Sequence, residues 1–288
     1  MSTLISTLDA GSTEYGAAAD TMRARLAELD TEHGKALAGG GEKYVRRHHD
    51  RGKLLARERI ELLLDPDSPF LELSPLAAWG TEFPVGGSVV TGIGVVEGVE
   101  CVIVATDPTV RGGTSNPWTL RKTLRADDIA LQNRMPLISL VESGGADLPT
   151  QKEVFIPGGR LFRDLTRLSA AGIPTIAVVF GNSTAGGAYI PGMSDHVVMI
   201  EKRSKVFLAG PPLVKMATGE ESDDESLGGA RCTRVSRVWP TTSRSTNRTR
   251  CASVAALCGA STTARPALHP GRTYANRGTT RGAARDRP

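Results

Sequence analysis

Residues 136–200 read PLISLVESGGADLPTQKEVFIPGGRLFRDLTRLSAAGIPTIAVVFGNSTAGGAYIPGMSDHVVMI, and they hold two apolar runs that each break into a glycine turn. The first run is 137–141, followed by Ser143-Gly144-Gly145-Ala146. The second is 174–180, followed by Ser183-Thr184-Ala185-Gly186-Gly187-Ala188-Tyr189. Short Val, Ile and Leu runs bounded by Gly and Pro predict buried strands. Between them, over about 158–171, Leu161, Phe162, Leu165 and Leu168 recur at helical spacing. Strand, crossover helix and strand make the βαβ unit of a covered parallel sheet. Function is expected at the two glycine turns.

Working outward, Met22, Leu26 and Leu29 predict a helix over about 12–38, ended by Gly39-Gly40-Gly41. A second helical stretch includes 51–64. Its basic residues either meet an anionic ligand or, one by one, form a solvated face with acidic partners. Strands are expected at 88–97 and 100–106, joined at Gly98, and then a polar loop at 107–114 that carries Gly112 and Gly113. A helix over 119–133 follows. A short strand at 204–208 lies beyond the core, before a turn at Ala209-Gly210-Pro211-Pro212.

The 288 residues, 40% hydrophobic and 23% charged, suit a globular protein with an ample core. The first 20 residues lack the basic and apolar regions of a signal peptide, and no apolar run is long enough to span a membrane. Cysteines at 101, 232, 251 and 258 have neither metal-ligand spacing nor a disulfide framework. A cytoplasmic protein without a bound metal is expected. The net charge of +4 is unevenly spread: residues 231–288 hold 12 Arg, no Lys and one acid, Asp286, so they carry +11 and the first 230 residues −7. That last stretch also lacks Ile, Phe, Met and Gln.

A glycine turn after a buried strand presents backbone N–H groups with no side chain in the way. Two such groups aimed at one point can hold an oxyanion, as an enolate formed beside a thioester carbonyl requires. No nucleophile is indicated. The histidines at 33, 48, 49, 196 and 269 are scattered, and Ser143 and Ser183 lack the G-x-S-x-G context. Neither a P-loop nor a dinucleotide fingerprint occurs. Gly186-Gly187 reads equally well as close packing of a helix on a sheet.

Five stretches carry a resemblance: RGKLLARERIELLLDPDSPFLEL (51–73), DPTVRGGTSNP (107–117), LVESGGADLP (140–149), FGNSTAGGAYIPGMSD (180–195) and FLAGPPLVKMATGEESDDESLGGA (207–230). Across about 40–230 the chain resembles the carboxyltransferase (β) subunit of biotin-dependent acyl-CoA carboxylases, nearest the methylcrotonyl-CoA and actinobacterial acyl-CoA branch. The resemblance implies an α/β, crotonase-like (ClpP/crotonase) fold. It also implies CO2 transfer from carboxybiotin, borne on a partner carrier, to an acyl-CoA. By motif, the backbone N–H groups of Gly186, Gly187 and Ala188 would form the oxyanion hole. Ser143, Gly144, Gly145, Ala146, Ala185 and Tyr189 would shape the substrate pocket. Implied partners are a biotin carboxylase/biotin carboxyl carrier α subunit and further copies in a hexameric β core, with no nucleic acid and no membrane.

The resemblance stops at Ala230. The expected organisation is a helical segment at 1–50, an incomplete carboxyltransferase N-terminal domain at 51–230, and an unrelated, disordered basic tail at 231–288. A one-base frameshift in a GC-rich gene explains both the break and the composition. Back-translated and read one base out of frame, 231–244 permits the family-like MHARVSGL and ADYFAV. The truncated chain is then expected to be impaired. The alternatives are a non-catalytic CoA-binding or assembly fragment, and a crotonase-type hydratase or isomerase that would need an acid–base group such as Glu142 over the turns.

Overall fold

The computed structural model describes residues 6, 8–230, 232 and 241–244. Helix α1 (Thr13–Leu37) is capped by Ser12, whose hydroxyl accepts from the Tyr15 N–H at 3.2 Å. This satisfies one of the N–H groups that a helix start leaves unpaired. The glycine triplet ends the helix, and it also allows a close approach. A Cβ on Gly40 would sit 1.9 Å from the Thr109 carbonyl oxygen, and the Gly40 N–H donates to the Thr109 hydroxyl at 3.0 Å.

The single helical stretch expected to include 51–64 is corrected. The chain instead forms α2 (Glu42–Asp50) and α3 (Ala56–Glu61). Between them Gly52 has φ +65°, and its carbonyl accepts from the Arg203 guanidinium at 2.8 Å. Tertiary contacts thus hold an extended link where local propensity favours helix.

Strands β1 (Leu71–Leu73), β2 (Val89–Val96) and β3 (Val99–Thr106) pair antiparallel, with Gly98 at the β2–β3 turn. From β3 onward the pairing is parallel. β3 pairs with β4 (Leu137–Ser143), and β4 with β5 (Thr175–Thr184). The first half of β5 pairs with β6 (His196–Ile200), and its end pairs with β7 (Lys205–Phe207). Alternation along the strands divides the core. Ile138, Leu140, Ile176, Val178 and Phe180 form one layer with Ala56 and Ile60 of α3. Leu137, Val102 and Val104 form the other with α4 (Pro117–Asn133) and α5 (Gln151–Ala170). With both faces covered, the central strands read as unbroken apolar runs.

Helix α5 starts at Gln151, not near 158. Pro157 lies inside it and removes one hydrogen-bond donor without ending the helix. Short helices α6 (Tyr189–Met193), α7 (Pro211–Thr218) and α8 (Asp224–Gly228) follow. The expectation of a structureless 231–288 is corrected at β8 (Thr241–Arg244), which pairs in parallel with β6. A sheet edge offers unpaired N–H and C=O groups to an extended segment. Otherwise that expectation lies outside the described residues, Cys232 excepted.

Between α4 and α5, Asp127 is buried beside Asp164 and Asp128, and its Oδ2 has no hydrogen-bond partner. Burial first, then the two neighbouring acids, push its carboxyl up to about 8. A raised carboxyl favours the folded state while protonated, so its contribution falls as pH rises from the ordinary 3.8 toward 8. Asp127→Asn is expected to match the wild type below pH 4 and to be more stable by about 1–2 kcal/mol at pH 8. Urea melts at the two pH values check this, and equal midpoints at pH 8 would contradict it.

Candidate functional site

Both predicted turns leave the C-terminal ends of parallel strands, where open α/β sheets characteristically bind ligands. The Ser143 turn follows β4 and the Ala185 turn follows β5, and Ser143 stands opposite Ser183 in register. Past the strand ends the turns interlock. The Thr184 hydroxyl donates to the Ser143 carbonyl at 3.1 Å, and within the second turn the Ser183 hydroxyl donates to the Gly187 carbonyl at 2.8 Å. A Cβ on Gly187 would come within 3.0 Å of Ser143 Oγ, and one on Gly145 within 3.2 Å of the Thr184 carbonyl oxygen. These glycines allow the two turns to approach.

The second turn is a 3-10 helix, Ala185–Ala188, running directly into α6. Ala185 holds φ +50°, an uncommon conformation for a residue with a Cβ. Gly186 is exposed, and a Cβ there would meet nothing within 4 Å. The first N–H groups of such a turn have no partner within it.

The remaining predicted residues divide. The Gly144 N–H donates to the Gly112 carbonyl at 3.1 Å, so Gly144 belongs with the loop after β3. Ala146 bridges Ser115 and packs against the cluster of Leu120, Leu124 and Val154. Tyr189 lies against Phe162 of α5, ring centroids 4.8 Å apart.

Composition alone did not single out the loop after β3 as part of this constellation. Arg111, Gly112 and Gly113 have φ of +48°, +68° and +69°. The Ser143 hydroxyl donates to the Gly113 carbonyl at 3.0 Å and accepts from the Gly145 N–H at 3.1 Å. Arg111 reaches Asp147 at 3.5 Å. The available signal was the Gly112-Gly113 doublet just beyond a strand, the same feature that marks the other two turns.

Glu142 faces the opposite way. Its carboxylate takes a 2.5 Å hydrogen bond from Arg59 Nη2 and an ion pair from Lys53, on the α3 side of the sheet. The Arg59 guanidinium is fully buried, with its carbon 4.5 Å from the centre of the Phe180 ring. His48 Nε2 lies 3.3 Å from Arg59 Nη2 and 3.2 Å from the Leu54 carbonyl. Burial opposes the Glu142 charge, but Arg59 and Lys53 outweigh it and hold the carboxyl below its ordinary range. Lys53 and Arg59 thus depart from the solvated face considered for this stretch. Glu142 does not stand over the glycine turns, which removes it as the acid–base group of a hydratase. Among the described residues no helix is long and apolar enough to cross a membrane, and no cluster of His, Cys, Asp and Glu is placed to hold a metal ion.

Residues 47–236 match the model of the carboxyl transferase domain. The chain is 78% identical over 227 residues to a probable biotin-dependent acyl-coenzyme A carboxylase β2 subunit of Mycobacterium tuberculosis, covering 79% of this chain and 43% of that protein. It is 54% identical over 217 residues to the same organism's biotin-dependent 3-methylcrotonyl-coenzyme A carboxylase β1 subunit, covering 73% and 41%. The crystal structure of the geranyl-CoA carboxylase β subunit of P. aeruginosa superposes with a TM-score of 0.82 at 39% identity, covering 89% of this chain and 48% of that one. The chain therefore spans about two fifths of the length of the curated relatives it matches. The fold is the crotonase-like α/β fold of carboxyltransferase β subunits. This chain belongs to the carboxyl transferase domain family, alongside the β subunits of biotin-dependent acyl-CoA carboxylases.

Proposed function

We propose that this chain supplies the acyl-CoA face of a carboxyltransferase, with the thioester carbonyl seated over the 185–188 turn. The supporting observation is the interlock of the two turns, Gly187 against Ser143, beneath open space at Gly186. Removing the proton beside a thioester carbonyl moves negative charge onto the carbonyl oxygen. Backbone N–H groups at Gly186, Gly187 and Ala188 would stabilise that charge without themselves reorganising. Ser143, Gly144, Gly145, Ala146, Ala185 and Tyr189 line or support the pocket in this reading. Biotin on a partner carrier supplies the CO2, and its own binding site is assigned to the part of the relatives that this chain does not span. The partners are a biotin carboxylase/carrier α subunit and further copies of the β chain.

On the same reading, residues 231–288 arise from a frameshift, and the polypeptide alone turns over little or no substrate. Resequencing the gene addresses the first point, and an uninterrupted frame with no neighbouring remnant would overturn it. For the second, the purified chain is assayed with its biotin carboxylase partner on acetyl-, propionyl- and methylcrotonyl-CoA. Background turnover with retained acyl-CoA binding is expected; clear turnover would refute the impairment. Gly187→Ala, which crowds Ser143, is expected to weaken acyl-CoA binding about tenfold, as one tight contact at a packed turn costs roughly 1–3 kcal/mol. Gly186→Ala, with open space above it, is expected to leave binding within about twofold. Equal affinities for both variants would remove the Ser143–Gly187 contact from the site.

A further inference from the structure

Every residue of α1 from Asp20 to Thr31 is exposed, and only Ala36, near the end of the helix, is buried. The side-chain bonds of this stretch stay inside the helix. Arg23 pairs with Asp20, Arg25 pairs with Glu28, and the Thr21 and Thr31 hydroxyls donate to the Ala17 and Ala27 carbonyls. Helices in proteins draw most of their stability from packing an apolar face, so a helix of 25 residues this bare calls for a partner. Its sequence supplies the face. Tyr15, Ala19, Met22, Leu26, Leu29 and His33 fall alternately four and three residues apart, which is the a/d seam of a coiled coil. Tyr15, Met22, Leu26 and Leu29 are all exposed, Met22 by 60%.

The charges flanking the seam select both the occupant and its direction. With Leu26 at a and Leu29 at d, Arg25 and Glu32 fall at g, and Arg23 and Asp30 fall at e. Antiparallel helices bring e against e and g against g. A second copy of α1, laid antiparallel with each Leu26 against the other's Leu29, puts Arg23 beside Asp30 and Arg25 beside Glu32, each twice. Sliding that pair by one heptad sets like charges together, either Arg23 on Arg23 and Arg25 on Arg25 or Asp30 on Asp30 and Glu32 on Glu32. A parallel pair matches only Arg25 with Asp30. Among the described residues no cation pairs with Asp30, which leaves it free for this contact. We propose that α1 pairs antiparallel with α1 of a second copy of this chain, with Leu26 and Leu29 at the centre of the seam. The pairing uses no residue of the glycine turns and stands whether or not they hold a thioester.

Analytical sedimentation of the full chain at micromolar concentration tests this. The wild type is expected to sediment as a dimer and Leu26→Asp at half that mass, with association weakened roughly a hundredfold because the side chain packs twice in the pair. Leu29→Asp should behave alike. Ala24→Glu, on the face turned away from the seam, should leave the dimer intact. These side chains are exposed in the single chain, so the variants keep the folded core. Arg23→Glu sets two like charges beside Asp30 and is expected to weaken association about tenfold. Adding Asp30→Arg should restore it to within about threefold, since the opposite charges then meet again in reverse. In a parallel pair the second change would instead set Arg25 against another arginine, so failure to restore overturns the antiparallel register. A monomeric wild type, or a mass unchanged by Leu26→Asp, overturns the proposal. So does a monomer that gains mass only with the biotin carboxylase partner, which would assign the face to that partner.

Discussion

Glu142→Ala is expected to lower the unfolding free energy by about 3–5 kcal/mol, because it leaves Arg59 buried without its counter-charge. Arg59 is 1% exposed. Its Nη2 bonds Glu142, while its Nε and Nη1 have no hydrogen-bond partner. The Phe180 ring beneath the guanidinium supplies a cation–π contact worth far less than the lost carboxylate. Lys53 loses the same partner, though it is less buried and can turn toward water. A shape-preserving Glu142→Gln variant keeps the volume but not the charge, and it should fall between alanine and wild type. Acid should act similarly on the wild type. A carboxyl held below its ordinary value of 4.5 contributes stability that is fully present above that value and is lost as pH falls through the folded-state value. Denaturant midpoints for the three proteins at pH 7 and below pH 4.5 test this. A Glu142→Ala midpoint equal to the wild type at pH 7 would show that the cluster does not hold the sheet to α3.

Gly113→Ala is expected to cost about 2–5 kcal/mol, from a left-handed penalty of about 1–2 and overpacking of about 1–3. Gly113 sits at φ +69°, and an added Cβ would lie 2.5 Å from the Glu142 carbonyl oxygen and 2.8 Å from Thr106 Cγ2. Neither neighbour can retreat easily, since one is strand backbone and the other belongs to β3. The displaced loop would also break the Ser143 hydroxyl bond to the Gly113 carbonyl, loosening the first glycine turn. The preceding Gly112 is an internal control. It has nearly the same φ, +68°, but nothing lies within 4 Å of its Cβ position, so Gly112→Ala should cost only the conformational term, about 1–2 kcal/mol. Thermal or denaturant unfolding of both variants distinguishes crowding from backbone strain. Equal losses would mean that contact with the β4 end contributes nothing.

The βαβ core was legible because its signal is local. The apolar runs 137–141 and 174–180 announce buried strands without help from the rest of the chain. Their ends were not legible: β4 continues through Glu142 and Ser143, and β5 through Gly181-Asn182-Ser183-Thr184, all polar or small residues. What extends β5 is its pairing with β7, twenty residues further on. The two glycine turns are legible for the same local reason, whereas the packing of Ala146 against Leu120, Leu124 and Val154 and of Tyr189 against Phe162 is not. Arg59 illustrates the limit most sharply. In a stretch reading RGKLLARERIE it looks like any surface arginine, and only Glu142, 83 residues away, makes its burial tolerable.

That distance matters before the protein is complete. The contacts tying α2, α3 and the glycine triplet to the sheet span 69 residues for Gly40–Thr109, 83 for Arg59–Glu142 and 151 for Gly52–Arg203. A chain emerging from the ribosome exposes Ala56, Ile60 and Leu63 long before β4 exists to cover them. Non-local closures of this kind slow folding and prolong the exposure of sticky surface. Helices α2 and α3 are thus made well before the strands that cover them, and holdase chaperones would meet the nascent protein there.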